Sequence, residues 1–284
     1  MSSAGSFYKG VPLYDYDPVD VREAKRILSE FGGGSVDLTL DDRTGMAKLV
    51  LNNPSKKNAL SGKMIAEFSD AVDRLEALAG VRSVVVTGAQ EGGGFCTGGD
   101  LEFVKRAASP HMGVLMSTVM TDALTRLADL PVVSTAYINA SGALGGGAEI
   151  AFACDHRLMT PDSRIGLIHV RLGIVPAWGG IAHLLRNACC PRSTALDFVT
   201  SGRILTAGEA VARGLATRVV ADEAEAEAWL GESVGGRRDP AVGRAAKAAF
   251  LAAHDTTTQT RIFANLFGGV ENKKALDMNL KHKQ

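Results

Sequence analysis

Two kinds of hydrophobic pattern alternate along the first two thirds of the chain. Strict alternation of apolar and polar residues at 36–40 predicts a half-buried strand, and 46–51 is its expected hairpin partner across a turn at 42–45. Continuous β-branched runs at 83–87 and 132–138 are typical of buried strands. The sequence therefore predicts a sheet that begins with a hairpin and continues with buried strands.

Apolar residues at helical spacing fill the segments between these strands. Residues 112–130 predict a long amphipathic helix, and 147–154 a helix directly after the second buried strand. Residues 21–31 also have helical character, and Ser61 is expected to cap another helix. The apolar face of that helix comprises Met64, Ile65, Phe68, Val72, Leu75 and Leu78. Repeated strand–turn–helix units with helical connections predict an α/β fold.

The same patterns divide the chain into three parts. Residues 1–34 are expected to form an N-terminal arm, residues 35–190 the core, and residues 191–284 a mostly helical region. Short strands are predicted at 157–159 and 216–220.

Composition narrows the function classes. Of 284 residues, 46% are hydrophobic, which is ample for a packed core, and 31 basic residues balance 31 acidic ones. A net charge of zero gives no indication of a general nucleic-acid or membrane surface, although a local basic patch stays open. Neither the four cysteines nor the histidines have metal-ligand spacing, so no metal is expected. Reduced thiols, with no membrane-length apolar run and no secretory signal, make the cytosol the expected location.

Two glycine-rich turns carry the chemistry. The segments 95–100 and 142–149 each follow a β-branched run, and each includes or is followed closely by an acidic residue. Glycine lets the backbone approach a ligand and direct its N–H groups at it. If the two turns converge, they form an oxyanion hole, which stabilises negative charge on a carbonyl oxygen.

These turns and their neighbours resemble the crotonase, or enoyl-CoA hydratase/isomerase, superfamily from about residue 36 to the C-terminus. The motifs that carry the resemblance are Ala143-Leu144-Gly145-Gly146-Gly147-Ala148-Glu149, Ala153-Cys154-Asp155-His156-Arg157, Asn58-Ala59-Leu60 and Gly173-Ile174-Val175-Pro176. The resemblance implies a spiral of ββα units, a helical C-terminal trimerisation region and acyl-CoA thioester substrates. By residue-for-residue match, the oxyanion donors are the N–H groups of Gly99 and Gly146; the alternative is that these glycines only form tight turns.

One position departs from the hydratases of this superfamily, which carry two catalytic glutamates. The first matches Glu149, but His169 stands at the position of the second. Water addition is therefore in doubt, because it needs two acid/base groups to orient water and move a proton. Removing one carboxylate also removes repulsion toward an anionic acyl group, about 4 kcal/mol at ~4 Å and an effective dielectric of ~20. An imidazole can instead donate a hydrogen bond to a substrate carboxylate.

Finer features resemble the decarboxylases of this superfamily that act on ethylmalonyl-CoA and, less well, on methylmalonyl-CoA in the cytosol. These features are the segments 31–38, 51–56, 154–161, 174–180 and 267–269. The implied reaction is loss of CO2 through a thioester enolate, which needs no cofactor because the thioester carbonyl takes the electrons. The catalytic candidates are Gly99, Gly146, Glu149 and His169. The substrate-binding candidates are Lys56, Lys57, Asn58, Ala59, Cys96, Gly98, Ile168 and Trp178. The implied assembly is a homotrimer or a dimer of trimers, with an acyl-CoA as the partner and neither nucleic acid nor membrane.

Several of these residues also have ordinary structural interpretations. Lys56 and Lys57 suit coenzyme A phosphates or a solvated basic loop, and Trp178 suits the wall of the acyl pocket or the core. Cys96 is favoured as a small packing residue over a thiol nucleophile, and Asp100 as the cap of the following helix. The tail Lys281-His282-Lys283 is a further candidate for phosphate contacts or a disordered end.

Two other functions stay open at this stage. The first is an enoyl-CoA hydratase or isomerase that uses Glu149 alone. The second is a catalytically silent trimer that binds RNA or a partner protein. The role of Glu149 in a decarboxylase is also open, since it can be protonated, turned away from the leaving carboxylate, or the donor of the α-proton.

Overall fold

The computed structural model describes residues 7–78, 80–233 and 239–277. Its strands are β1 (Phe7–Tyr8), β2 (Val11–Pro12), β3 (Ser35–Asp41), β4 (Met46–Asn52), β5 (Ser83–Gly88), β6 (Val133–Ile138), β7 (Ala143–Leu144), β8 (His156–Met159), β9 (Arg164–Gly166), β10 (Leu205–Thr206) and β11 (Arg218–Val219). Its helices are α1 (Val21–Leu28), α2 (Gly62–Ala77), α3 (Leu101–Arg106), α4 (Pro110–Asp129), α5 (Gly146–Ala153), α6 (Gly180–Asn187), α7 (Arg192–Ser201), α8 (Ala207–Ala212), α9 (Glu223–Ser233), α10 (Pro240–Leu251), α11 (Thr256–Leu266) and α12 (Val270–Asp277). Short 3-10 helices lie at Pro54–Lys56, Gln90–Gly92 and Ile168–Leu172. None of the helices in these ranges is long and apolar enough to cross a membrane.

A six-stranded sheet forms the centre of the molecule, in the order β11-β8-β6-β5-β4-β3. Only the β3–β4 hairpin is antiparallel, and the other four pairs are parallel. Parallel neighbours with helical crossovers confirm the predicted α/β class. The predicted hairpin and both β-branched strands also occur within a residue or two of their predicted bounds.

A smaller sheet in the order β10-β9-β7 lies beside the second glycine turn. Its strands have only two or three residues each, which is too short for an alternating pattern to be seen in the sequence. The glycine turn before β7 is tight because Gly142 has φ +87°, and a Cβ there would overlap the backbone of Arg164 in β9.

Helices α1, α2 and α4 pack together on one face of the core. Ser61 caps α2 as predicted, since its hydroxyl accepts a hydrogen bond from the Met64 N–H at 3.1 Å. The fully buried aromatic side chains are Phe68, Phe95, Phe152 and Phe198. These rings belong to the same hydrophobic core as the buried side chains of β5 and β6, the strands that precede the two glycine turns.

The described C-terminal residues are mostly helical, as predicted. Helix α10 is attached to the core by an ion pair between Lys247 and Asp155, which also accepts hydrogen bonds from the main-chain N–H and the hydroxyl of Ser134. By contrast, α11 and α12 present large apolar side chains to solvent. These exposed residues include Phe263, Val270 and Leu276, and Phe267 directly after α11 is exposed as well.

Candidate active site

The first glycine turn leaves the Gly99 N–H without an acceptor among the described residues. Leu60 pairs with this turn: its N–H donates to the Gly98 carbonyl at 2.8 Å, and its carbonyl accepts from the Asp100 N–H at 2.9 Å. In this parallel bridge the Gly99 N–H lies between the two bonds and donates to no described residue. Asp100 caps α3 as predicted, because its carboxylate accepts from the Glu102 N–H.

The second turn leaves another donor unused at the start of a helix. Gly145 has φ +53°, and its N–H donates to the Gly166 carbonyl at 2.9 Å. Gly146 is the first residue of α5, and the first N–H groups of a helix have no intrahelical acceptor. Across the described ranges, the Gly146 N–H finds no other acceptor.

The two turns meet at one point. Cys96 and Ala143 form a parallel bridge, and the Leu144 N–H donates to the Cys96 carbonyl at 2.9 Å. A Cβ on Gly98 would lie only 3.4 Å from the Gly146 nitrogen. Gly98, Gly99 and Gly146 all line a single cavity of about 1520 Å³. Two unused N–H donors at the wall of one cavity have the composition of an oxyanion hole.

Glu149 and His169 form a buried pair at the same cavity. Their side chains approach at 3.1 Å, between His169 Nε2 and Glu149 Oε1, and only 1% of the Glu149 side chain is exposed. The other carboxylate oxygen, Oε2, accepts from the N–H groups of Trp178 at 2.9 Å and Gly180 at 3.0 Å. Oε2 therefore acts as an acceptor from the main chain, and Oε1 is the oxygen that faces His169.

One ring nitrogen of His169 therefore has a partner among the described residues, and the other has none. Its Nδ1 is buried and has no hydrogen-bond partner among the described residues. His169 lines the cavity, and Nδ1 is its one ring nitrogen without a hydrogen bond to a described residue.

The segment from Pro176 to Gly180 forms the wall that holds this pair. Gly180 is required there because a Cβ would collide with the Glu149 side chain. Trp178 is half-buried and packs against the core, and it also lines the cavity together with Ile168. Trp178 therefore belongs both to the core packing and to the cavity wall.

The other substrate-binding candidates separate into two groups. Lys56 and Ala59 line the cavity, and Lys56 Nζ lies 2.8 Å from Glu102 Oε2. The hydrogen bond to this carboxylate raises the pKa of Lys56, which keeps the amine charged. Lys57 is exposed and does not line the cavity.

Asn58 and Cys96 also lie behind the cavity wall rather than in it. The fully buried Asn58 amide donates to the Ala89 and Gly94 carbonyls at 2.9 and 2.7 Å, and its oxygen accepts from the Asn53 N–H. Cys96 is also fully buried, and burial raises the pKa of its thiol to about 12. Both side chains support the turns that carry the site. The tail at 281–283 lies outside the described residues.

The N-terminal arm and α4 are among the parts of the cavity that sequence reasoning missed. Tyr14, Tyr16 and Val21 of the predicted arm line it, and so do Ser117 and Thr121 on α4. The spacing of aromatic residues in an otherwise polar arm is a weak signal for the first group. The second group has no signal in the sequence, because it depends on how α4 packs against the segment before α6.

The sequence and the fold of this chain identify its family. Residues 41–277 match the family model described as enoyl-CoA hydratase/isomerase, and the chain belongs to this family. Its spiral architecture is therefore crotonase-like, as the resemblance implied.

Curated relatives extend over most of the chain. The chain is 36% identical to an ethylmalonyl-CoA decarboxylase of Xenopus tropicalis over 270 residues, which cover 91% of this chain and 88% of the relative. It is also 36% identical to an ethylmalonyl-CoA decarboxylase of Mus musculus over 286 residues, which cover 96% of this chain and 86% of the relative. Among solved structures, an enoyl-CoA hydratase of Thermoplasma volcanium superposes with a TM-score of 0.74 and 26% identity, covering 87% of this chain and 97% of that one.

Proposed function

We propose that this protein decarboxylates a malonyl-type acyl-CoA thioester, with ethylmalonyl-CoA as the preferred substrate and methylmalonyl-CoA as a weaker one. The observation that carries the proposal is the contact between His169 Nε2 and Glu149 Oε1 at 3.1 Å. A hydratase needs two acid/base groups free to orient one water molecule. Here Glu149 supplies the one carboxylate, and it is already bound to His169, which stands at the position of the second glutamate. The names of the relatives support the same reaction.

The proposed reaction breaks the bond between Cα and the carboxylate carbon. The electron pair of that bond moves to the thioester carbonyl oxygen, CO2 leaves, and an enolate remains. The N–H groups of Gly99 and Gly146 hold the enolate oxygen, and one such donor contributes about 3–4 kcal/mol to stabilisation of the transition state. A proton then adds to Cα, so ethylmalonyl-CoA gives butyryl-CoA. The reaction as proposed needs no cofactor, because the thioester is the electron sink.

His169 is the proposed acid in the last step. Glu149 accepts from Nε2–H and so fixes the ring. When the imidazole is also protonated at Nδ1, that N–H donates to the substrate carboxylate and then returns its proton to Cα, which leaves the neutral ring protonated at Nε2. Glu149 then acts through His169 instead of donating the α-proton itself.

The rest of the cavity suits the two ends of the substrate. Trp178 and Ile168 give an apolar surface against which the reacting carboxylate loses water, which favours its departure as neutral CO2. The Lys56 amine is proposed to bind the phosphates of coenzyme A in place of its present ion-pair partner, Glu102.

The proposed assembly is a homotrimer or a dimer of trimers, and the proposed location is the cytosol. Phe263 on α11 and Phe267 directly after it are exposed, and their ring centroids lie 5.1 Å apart. Exposed apolar surface of this kind supports association through the C-terminal helices. Light scattering on the purified protein tests the assembly, and cell fractionation tests the location.

The function is tested by incubating the protein with ethylmalonyl-CoA in D2O and analysing the product. The proposal predicts CO2 release and butyryl-CoA that carries deuterium at Cα, with both lost in His169→Ala. His254→Ala, an exposed histidine outside the cavity, serves as the matched control and is expected to react like the wild type.

The principal alternative is an enoyl-CoA hydratase or isomerase that uses Glu149. Crotonyl-CoA hydration without CO2 release would favour that alternative. Absence of both reactions would contradict both enzymes.

A further inference from the structure

Two hydroxyl groups on α4 converge on a single carbonyl of the wall beside the site. Ser117 Oγ donates to the Ala177 carbonyl at 2.6 Å, and Thr121 Oγ1 donates to the same oxygen at 3.2 Å. The two residues are four positions apart and therefore lie on the same face of the helix. A carbonyl oxygen has two lone pairs, so this one is fully occupied by the two hydroxyls.

Hydroxyl side chains in a helix have a nearer acceptor than the one that Ser117 and Thr121 use. A serine or threonine inside a helix can instead bond to the carbonyl four residues earlier. Thr200 does so with Leu196 at 2.8 Å, and Thr260 does so with Thr256 at 2.8 Å. Ser117 and Thr121 instead reach across to another segment of the chain.

The carbonyl that they hold belongs to the peptide unit that holds Glu149. The Ala177 C=O and the Trp178 N–H are the two ends of one planar peptide bond, and they point in opposite directions in the trans form. The N–H end donates to Glu149 Oε2 at 2.9 Å. Fixing the carbonyl on α4 therefore fixes the direction of the N–H toward Glu149, and through Oε1 the position of His169.

We propose that Ser117 and Thr121 are positioning residues for the Glu149–His169 pair. They keep the 177–178 peptide from rotating, so that Glu149 retains both of its N–H donors and His169 keeps one ring orientation. This inference rests on the proposed role of Glu149, and it applies to either reaction in which that carboxylate orients or moves a proton.

The test compares the double variant Ser117→Ala/Thr121→Val with the conservative double variant Ser117→Thr/Thr121→Ser. The first removes both hydroxyls, while the second keeps them. Alanine is a better helix former than serine, so loss of α4 itself is not the expected cause of an effect at position 117. Ser29→Ala is the matched control, because Ser29 donates to the Lys25 carbonyl at 2.7 Å in an exposed helix end outside the cavity.

We expect kcat of the Ala/Val double variant to fall about tenfold or more, because the acid is misplaced, while KM changes less than about twofold. The conservative variant and Ser29→Ala are expected to retain the kcat of the wild type. Should the double variant fail to fold, Ser117→Ala and Thr121→Val are measured singly, and each is expected to show a smaller fall of the same kind. An unchanged kcat, or a rise in KM alone, would overturn the inference.

A second readout does not depend on the reaction. In 15N-histidine-labelled protein, with His169→Gln for assignment, the wild type is expected to show a single set of His169 ring signals, and the Ala/Val variant more than one set. A single, unchanged His169 signal in that variant would contradict the inference even if CO2 release were absent. If CO2 release fails and hydration occurs instead, the same kcat comparison is made with crotonyl-CoA, so failure of the proposed function and failure of this inference are distinguished.

Discussion

The indole ring of Trp178 occupies the space that a side chain at Gly146 would need. A Cβ built on Gly146 would collide with the six-membered part of that ring. The tryptophan therefore packs directly against the residue whose N–H is a proposed oxyanion donor. One contact thus links the apolar wall of the cavity to the start of α5.

Gly146→Ala is predicted to abolish most of the activity. The added methyl group must displace either Trp178 or the backbone, which misdirects the N–H, and loss of one oxyanion donor costs about 10²–10³-fold in kcat. The rate of CO2 release measures the effect. Gly208→Ala is the control, because nothing lies within 4 Å of a Cβ there and the residue is in helix α8.

The double variant Gly146→Ala/Trp178→Ala tests whether the effect is steric. Removing the indole makes room for the methyl group, so part of the lost rate is expected to return. A double variant slower than both single variants would contradict the steric explanation.

Glu149→Ala is predicted to cost more stability than Glu149→Gln. Alanine leaves the Trp178 and Gly180 N–H groups buried without an acceptor, at about 1–3 kcal/mol each, whereas the glutamine oxygen can still accept from both. Chemical denaturation measures the difference. Both variants are expected to lose activity, since the amide presents a donor to His169. Equal free energies of unfolding for the two variants would show that the backbone donors are satisfied in another way.

Asn58→Ala is predicted to affect folding instead of substrate binding. The substitution removes three buried hydrogen bonds and places alanine at φ +55°, a conformation that asparagine tolerates better. We expect a loss of several kcal/mol in the free energy of unfolding, at about 1–3 kcal/mol for each unsatisfied group. The KM of the protein that remains folded is expected to be unchanged. A stable variant with a raised KM would assign Asn58 to the substrate.

The thiols are predicted to react according to burial. Burial raises the pKa of Cys96 and of Cys154 to about 12, and a raised pKa lowers the thiolate fraction, to about 10⁻⁴ at pH 8. Cys189 is exposed and is expected to be alkylated first. Mass spectrometry after brief treatment with iodoacetamide identifies the labelled positions. Rapid labelling of Cys96 in the native protein, with loss of activity, would revive the thiol-nucleophile interpretation.

The features that could be predicted from the sequence are those that local chemistry determines. Ser61 and Asp100 are recognisable as helix caps because the capped N–H groups lie within three residues of them. The two glycine turns are recognisable because they follow β-branched strands. The pairing of Cys96 with Ala143, which brings the turns together, is a matter of tertiary structure.

Contacts over long sequence distances had no such signal. Glu149 and His169 were both predicted at the site, but their direct contact depends on where the 3-10 helix at Ile168–Leu172 lies against α5. Asn58 and Cys96 are next to cavity residues in the sequence and face away from the cavity in space, since their side chains are used to hold the turns. The position of a residue in the sequence shows which segment forms a site. It does not show which side chains of that segment face the site.

The central claim is best tested by measuring two rates on one preparation of the wild-type protein: CO2 release from ethylmalonyl-CoA and water addition to crotonyl-CoA. The account predicts CO2 release, with hydration absent or slower by more than about 10²-fold, because the site has one carboxylate bound to a histidine instead of two free acid/base groups. Hydration of crotonyl-CoA without CO2 release from ethylmalonyl-CoA would contradict it.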